Sequence, residues 1–331
     1  MKSIGLVGLG FIGKMHLKAY QSIENCQVAA ICTRSEVEDK EITDFFNGTF
    51  ISDYDELLRR KDIDIIDICL PTFLHEEYIV KAARAGKHII CEKPLTLSLE
   101  SAERIIKEVQ DNGVRLFVGH LLRFWPEYQI IKSYSESDQL KDIEIVHAQR
   151  LGQAPAWSDW FKHPEKSGGA LFDLHIHDID FISYLLGEAE SVYAAGTKNN
   201  YGAWDHIMTT LLFKNNRKAF VEASHRMTNG YPFTMSFRAQ AVQGTLEYRV
   251  AAGENIEHIG NRQFVYFNHR TKTSIENMDG DAFPNELSYF VQCVETNQEN
   301  HVIPLEDVFY TLKLLKAIEA SLETGQKISL Y

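Results

Sequence analysis

What this 331-residue chain lacks narrows it first. It has only five cysteines, Cys26, Cys32, Cys69, Cys91 and Cys293, an odd number at irregular spacing with no Cys-x-x-Cys. That excludes a disulfide framework and a paired-thiol redox motif. Cys32, Cys69 and Cys91 lie in or beside apolar runs, where a thiol serves as a small hydrophobe. Reduced thiols and a cytoplasmic location are therefore expected. Met1-Lys2 leads straight into a strand pattern without signal-peptide character, and no apolar run is long enough to span a bilayer. An excess of positive charge is also missing: 34 basic residues face 46 acidic ones, a net charge of −12. The phosphate term would be repulsive, so neither nucleic acid nor a membrane is expected as a partner. Repeats, low-complexity stretches and flexible linkers are absent as well.

What is present is globular. Hydrophobic residues make up 44% and charged residues 24% of a chain about the right length for two domains. Over the first 120 residues, short β-rich runs alternate with helical patterns, among them Ile4–Val7 and Val28–Ile31 as the first two strands and Ile65–Ile68, His88–Ile90 and Leu116–Val118 as the fourth to sixth. The clearest helix follows Ser98, a natural N-cap, with Leu99, Ala102, Ile105, Ile106 and Val109 on one stripe. Near-continuous apolar strands between helices predict a doubly wound parallel sheet over 1–120. From about 140 onward, alternating strands near 143–150, 191–197, 206–213, 218–225, 233–240, 245–250 and 263–267 predict an α+β domain over 121–331 with an open, largely antiparallel sheet. One helix interrupts it from Gly169 to about Leu186, and two close it near 284–297 and 305–322.

Gly8-Leu9-Gly10-Phe11-Ile12-Gly13 follows the first strand and opens a helix, the context a dinucleotide fingerprint requires. Its glycines allow a tight turn, backbone approach to a pyrophosphate and close helix packing, and the helix N-terminus offers free N–H groups. At the end of the second strand, where an acid would bind the ribose of NAD, stand Thr33, Arg34 and Ser35. Arg34 with two hydroxyls suits a 2′-phosphate, which favours NADP weakly over NAD; stacking of Arg34 on adenine is the alternative. Leu70-Pro71-Thr72 ends the fourth strand, with Thr72 an expected N-cap and His75 facing the cofactor.

Glu92-Lys93-Pro94 closes the fifth strand and is the most informative stretch. The carboxyl edge of a parallel sheet is where ligands bind, and Pro94 holds Lys93 extended there. The second chemical cluster runs from Gly168-Gly169 through Asp173, His175, His177 and Asp178. On a helix, Asp173 and His177 share a face, and a carboxylate raises an imidazole's basicity. A buried structural pair is the alternative reading. A metal is not expected, because no H-E-x-x-H occurs. His120, Arg123 and Trp125 at the exit of the sixth strand, with Trp157 and Trp160 farther on, are candidates to line a substrate cleft.

Taken in order, these segments resemble the glucose–fructose oxidoreductase / inositol dehydrogenase / rhizopine-catabolism (Gfo/Idh/MocA) family over nearly the whole chain. The likeness rests on Gly8-x-Gly10-x-x-Gly13, Pro71 through His75, Cys91-Glu92-Lys93-Pro94, His120-x-x-Arg123-Phe124 and Trp160 through Gly168-Gly169 to Asp173-x-x-x-His177-Asp178. It implies a Rossmann domain followed by an open antiparallel sheet, and NAD(P)-dependent hydride transfer at a ring hydroxyl of a sugar, cyclitol or related polyol. It also implies catalytic roles for Lys93, Asp173 and His177, and often a cis bond before Pro94. Ala170 replaces a usual third glycine, and His175 stands where relatives often carry glycine, adding bulk or polarity near the substrate. Some relatives are nucleotide-sensing regulators without turnover, and the intact Lys93, Asp173 and His177 argue against that alternative. Phe213, Phe220, Phe233, Phe237, Tyr248, Phe264, Tyr266 and Phe267 are more aromatics than one helix pair is expected to bury. A homodimer or homotetramer built through the C-terminal sheet is the resulting expectation.

Overall fold

A computed structural model describes residues 1–34, 39–155, 159–253, 259–269, 271–276 and 280–330. Ser35 and Trp157 lie outside the described residues. The chain divides into two compact units, Met1–Phe124 with Gly280–Phe309, and Trp125–Asp279 with Tyr310–Tyr331. The first unit thus takes back a segment near the C-terminus, which a boundary at 120/121 does not anticipate. No helix among the described residues is long and apolar enough to cross a membrane.

The first unit alternates β1 (Lys2–Val7), α1 (Phe11–Tyr20), β2 (Cys26–Cys32), α2 (Lys40–Thr43), β3 (Thr49–Ile51), α3 (Tyr54–Arg59), β4 (Ile65–Ile68), α4 (His75–Arg84), β5 (His88–Glu92), α5 (Leu99–Asp111) and β6 (Leu116–Gly119). All six strands are parallel, in the order β3-β2-β1-β4-β5-β6. Ile4, Leu6, Ile31, Ile65, Ile66, Ile68, Ile89 and Ile90 are fully enclosed, as strands covered on both faces must be. The order reverses between β1 and β4, so the loop after β1 opens at the switch point, where such sheets bind ligands. Ser98 caps α5 as its residue type dictates, accepting from the Ser101 amide at 3.1 Å. Thr72 does not cap α4. It begins a 3-10 turn, Thr72–Leu74, whose N-cap is Pro71, and α4 starts three residues later at His75, with Leu74 as an N-cap that has no side-chain oxygen to offer.

The second unit contains α6 (Pro126–Glu136), β7 (Ile145–Leu151), α7 (Pro164–Ser167), a π turn (Leu171–His175), α8 (Ile176–Leu186), β8 (Ala189–Lys198), β9 (Trp204–Phe213), β10 (Lys218–Ser224), β11 (Phe233–Gln240), β12 (Thr245–Ala252), β13 (Ile259–Asn268) and β14 (Thr271–Ser274). The chain then enters α9 (Ala282–Thr296), which belongs to the first unit, and α10 (Leu305–Thr324), and ends in the short β15 (Ile328–Ser329). The nine-stranded sheet runs β14-β13-β12-β11-β7-β10-β9-β8-β15 and is antiparallel except for the parallel β7–β10 pair. Its inner face carries Val146, Ala148, Ile207, Leu211, Ala219, Val221 and Phe237. Tyr128 of α6 packs edge-on against Phe181, Phe237 and Tyr248.

This phase corrects the aromatic count made from sequence. Phe213, Phe237, Tyr248, Phe264 and Tyr266 are buried within the unit, and Phe233 is half-buried. Of that set only Phe220 and Phe267 are exposed. The outward face is instead apolar around Tyr193, Met208 and Phe220, which are 47%, 59% and 40% exposed. Tyr193, Thr210 and Phe220 lie in one cross-strand row, with Met208 in the next.

Candidate active site

The glycine loop is a consequence of packing on two sides and of openness on the third. Gly8 has φ +92, and a Cβ there would lie 2.5 Å from the Cys69 carbonyl oxygen. A Cβ on Gly13 would lie 2.2 Å from the Gly8 carbonyl oxygen. A Cβ on Gly10 would meet nothing within 4 Å. Gly10 is the N-cap of α1, with no side-chain cap and no acid in the first turn. The amides of Phe11, Ile12 and Gly13 thus belong to an uncapped helix start beside an open backbone, which fits the diphosphate of a dinucleotide. Thr33 is half-buried with its amide on the Ile51 carbonyl (3.0 Å), and Arg34 is exposed. Leu70 and Pro71 line the end of β4 and are partly exposed.

The turn after β5 is held from both sides. The Lys93–Pro94 bond is cis. From Ile89 to Thr96, Lys93 is the one residue that is not buried. The Lys93 amide donates to Glu92 Oε2 at 3.1 Å. Glu92 in turn meets His16 Nε2 at 3.1 Å, while His16 Nδ1 lies 2.8 Å from Asp67 Oδ2. Tyr20 donates to the same Asp67 oxygen at 2.9 Å. Burial opposes charge on His16, but the field and hydrogen bond of Asp67 outweigh it, and the imidazole pKa is raised. Burial pushes Glu92 up, yet His16 pulls it below the ordinary carboxylate range. His16, a residue the sequence reading left without a role, is thus a buried cation joining α1 to the lysine turn. Its neighbour Cys69 has a thiol pushed up to about 12 by burial, and its Sγ lies 3.4 Å from His16 Nδ1.

His75 corrects an expectation. It is fully buried, with Nε2 2.8 Å from the Leu70 carbonyl and Nδ1 3.0 Å from the Pro94 carbonyl, and burial lowers its pKa. It braces the lysine turn against the end of β4 and is closed to a cofactor. Arg123 is likewise enclosed. Its Nη1 donates to the Val302 carbonyl at 2.7 Å and to Asp307 at 2.6 Å, so it anchors the start of α10 and offers substrate no surface. His120 is also buried.

In the second unit, Gly168 (φ +70) and Gly169 (φ +65) turn the chain into the π turn. A Cβ on Gly169 would lie 2.7 Å from the Trp204 carbonyl oxygen, which is why the turn is built from glycine. From Gly169 to Ile182 every residue is buried except Asp173 and His177. His175, expected near the substrate, is fully enclosed: Nε2 meets Thr209 Oγ1 at 2.8 Å and burial pushes its pKa down to about 3. Asp178 pairs inward with Arg150 at 2.9 Å. Trp125 is the N-cap of α6, and Trp160 stacks on Phe161 at 4.2 Å; both are partly exposed. Asp173 Oδ2 lies 3.2 Å from Nε2 of His225, at the end of β10, and His225 Nδ1 lies 3.6 Å from Asp205 Oδ1. Sequence reasoning missed His225; its inward parity with Ala219, Val221 and Ala223 was the available signal.

A parallel switch-point sheet with an uncapped glycine loop, followed by a sheet domain carrying an open acid–imidazole cluster, defines a dinucleotide-dependent oxidoreductase. Residues 2–120 match an oxidoreductase family with an NAD-binding Rossmann fold, and residues 128–247 match the GFO/IDH/MocA C-terminal domain. The chain belongs to this family and is an NAD(P)-dependent oxidoreductase acting on CH–OH groups. It is 30% identical to the uncharacterized oxidoreductase YrbE of Bacillus subtilis, over 98% of this chain and 96% of that protein. It is 28% identical to myo-inositol 2-dehydrogenase of Thermotoga maritima, over 99% and 98% respectively. The crystal structure of a probable dehydrogenase from Thermotoga maritima superposes with a TM-score of 0.82 at 26% identity, covering 99% of each chain.

Proposed function

We propose that this enzyme oxidises or reduces a ring carbon of a cyclitol, sugar or related polyol, with Lys93, Asp173 and His177 as its catalytic residues. One observation carries the reading. Two stretches, Ile89–Thr96 and Gly169–Ile182, are buried at every residue but three, and the three partly exposed residues are Lys93, Asp173 and His177. Exposed ionisable groups set in rigid surroundings are what proton transfer requires.

The nicotinamide, when bound, accepts or donates the hydride. In the oxidative direction His177 takes the proton of the substrate hydroxyl. Asp173 orients His177 and offsets the positive charge that forms on it. Lys93 donates to the reacting oxygen and stabilises its developing negative charge, as a donor fixed in place before the reaction. The bracing of its turn by His75 and Glu92 keeps that donor in one position. The amides at the start of α1 hold the diphosphate, and Arg34, with Thr33, receives the adenosine end and favours NADP. Trp125 and Trp160 are candidates to contact the substrate ring. The outward apolar face of the second unit's sheet supports a homodimer or homotetramer.

The test is a panel of inositols, pentoses and hexoses with NAD and NADP, read by absorbance of the reduced nicotinamide. Turnover of at least one ring polyol, abolished in His177→Gln, is expected. Tight cofactor binding with no turnover of any member would favour a nucleotide-sensing protein of the same fold.

A further inference from the structure

His225 takes no part in the mechanism above, yet it touches the carboxylate on which that mechanism turns. It lies one residue beyond β10, and its amide donates to the Asp205 carbonyl at 2.9 Å, which fixes the backbone across the β9–β10 edge. Its ring is buried between two carboxylates, Asp173 of the π turn at Nε2 and Asp205 of β9 at Nδ1. Asp205 is itself buried, whereas Asp173 is partly open to solvent. The ring therefore holds the open carboxylate from behind, with the second acid as its own support.

We propose that His225 is a positioning residue: bridging Asp173 and Asp205, it orients the Asp173 carboxylate, tempers its charge, and so sets the pH range over which His177 works as a base. The proposal rests on the reading of Asp173 and His177 as the proton-transfer pair.

The chemistry follows from the donor count. A neutral imidazole donates through one nitrogen, so two carboxylates facing both nitrogens are satisfied together by the cation alone. Burial opposes that charge, but the two carboxylates, Asp173 at 3.2 Å and Asp205 at 3.6 Å, prevail and the pKa of His225 is raised. Arg226, the next residue, donates to the Lys198 carbonyl at 3.3 Å, and Lys316 of α10 lies over the Phe172 ring at 5.8 Å. A cation fixed against Asp173 lowers the negative potential at His177. It thereby holds the imidazole of His177 less basic than an unscreened aspartate would make it.

The first arm of the test, a titration, needs no substrate. In full-length protein with isotope-labelled histidine rings, assigned by His177→Gln and His225→Gln, ring resonances are followed through a pH titration. In the wild type, the His225 midpoint lies above that of an ordinary histidine. In His225→Gln, which keeps a donor toward Asp173 but no charge, the His177 midpoint rises by about half to one pH unit. His225→Ala, which also loses the donor, lowers turnover further than His225→Gln at unchanged cofactor affinity. A His225 ring that titrates at or below 6.5, or a His177 midpoint unmoved in folded His225→Gln, overturns the proposal. The functional reading fails separately: it falls if His177→Gln retains wild-type turnover, whatever the titrations give.

Discussion

Alanine at Gly10 and alanine at Gly13 should fail in opposite ways, although the two positions are only three apart. The Gly13 Cβ would lie 2.2 Å from the Gly8 carbonyl oxygen and 3.0 Å from its carbon. Both neighbours are backbone, so no side chain can swing aside and the loop itself must shift. Overpacking of this kind costs about 1–3 kcal/mol, and the better helix propensity of alanine returns up to about 1 kcal/mol. A net loss near 2 kcal/mol at the rigid end of that range lowers the melting temperature by roughly 4–8 °C. At Gly10 the added methyl meets no protein atom within 4 Å, and φ −74 with ψ −165 is backbone that alanine adopts freely. Stability should fall by no more than about 1 kcal/mol, the difference between glycine and alanine at an N-cap. The methyl would stand where a diphosphate must approach the amides of α1. Loss of one charge-assisted hydrogen bond there, about 1.5–3 kcal/mol, weakens dinucleotide binding roughly 10- to 100-fold. Thermal melts and fluorescence titration with reduced nicotinamide cofactor read the two effects independently. A Gly10→Ala protein that binds both cofactors as the wild type does would refute the placement of the diphosphate. A Gly13→Ala protein of unchanged stability would refute the packing argument.

Lys93→Met should leave cofactor affinity within a few fold and cut turnover by about 10²-fold or more, the scale of one preorganised donor; near-normal turnover in folded protein removes Lys93 from the mechanism. Arg34→Ala should weaken NADP binding by about 1.5–3 kcal/mol and NAD binding less, measured by titration; equal losses, or a wild-type preference for NAD, would refute a 2′-phosphate contact. His16→Ala leaves Asp67 and Glu92 buried without their shared cation, at a cost of about 3–5 kcal/mol in urea unfolding. Because the His16 pKa is raised, its contribution is complete below about pH 6.5 and is lost as pH rises through the folded value. Because the Glu92 pKa is lowered, its contribution is complete above about pH 4.3 and is lost as pH falls through the folded value. Wild-type stability should therefore fall on both sides of that window, and His16→Ala should flatten both flanks; unaltered flanks would show that the imidazole is not the shared cation. Light scattering at micromolar concentration should give two or four chains, and Met208→Glu on the outward sheet face should reduce that mass; a single-chain mass in the wild type would refute association through this face.

The parts of the enzyme that were legible from sequence are those whose physics is local. Gly8, Gly10 and Gly13 announce a tight βα turn because only glycine fits the φ of Gly8 and the packing at Gly13. Ser98 announces a helix start because its oxygen reaches an amide three residues on. Lys93 stands out because a cation before proline at the end of an apolar strand has no local use. What could not be read depends on which distant residues meet. His16 and Glu92 are 76 positions apart and meet because α1 carries His16 against Asp67 of β4 and Glu92 of β5, so a histidine that looks like one polar residue on an apolar helix face proves to be a buried cation. His225 and Asp173 meet because β10 ends beneath the π turn. The substitution of an imidazole at 175 drew attention to the wrong histidine. His175 points into the sheet at Thr209, while His225, unremarkable in sequence, faces the aspartate. The aromatic count failed for a related reason. Side chains of a strand alternate between faces, so a tally without phase mixes Phe237 and Tyr248 in the core with Phe220 on the surface. Phase alone would have separated them, since Phe220 stands between the small residues Ala219 and Val221 that the inner face requires. It would also have placed His225 inward, three steps of two along the same strand from Ala219. The register of β9 and β10 then supplies the rest: Asp205 arrives beside His225 because Ile207 pairs with Ala223. The candidate site of the second unit is thus fixed by strand pairing as much as by its helix, and a substitution that slips β9 against β10 should disturb Asp173 without touching it.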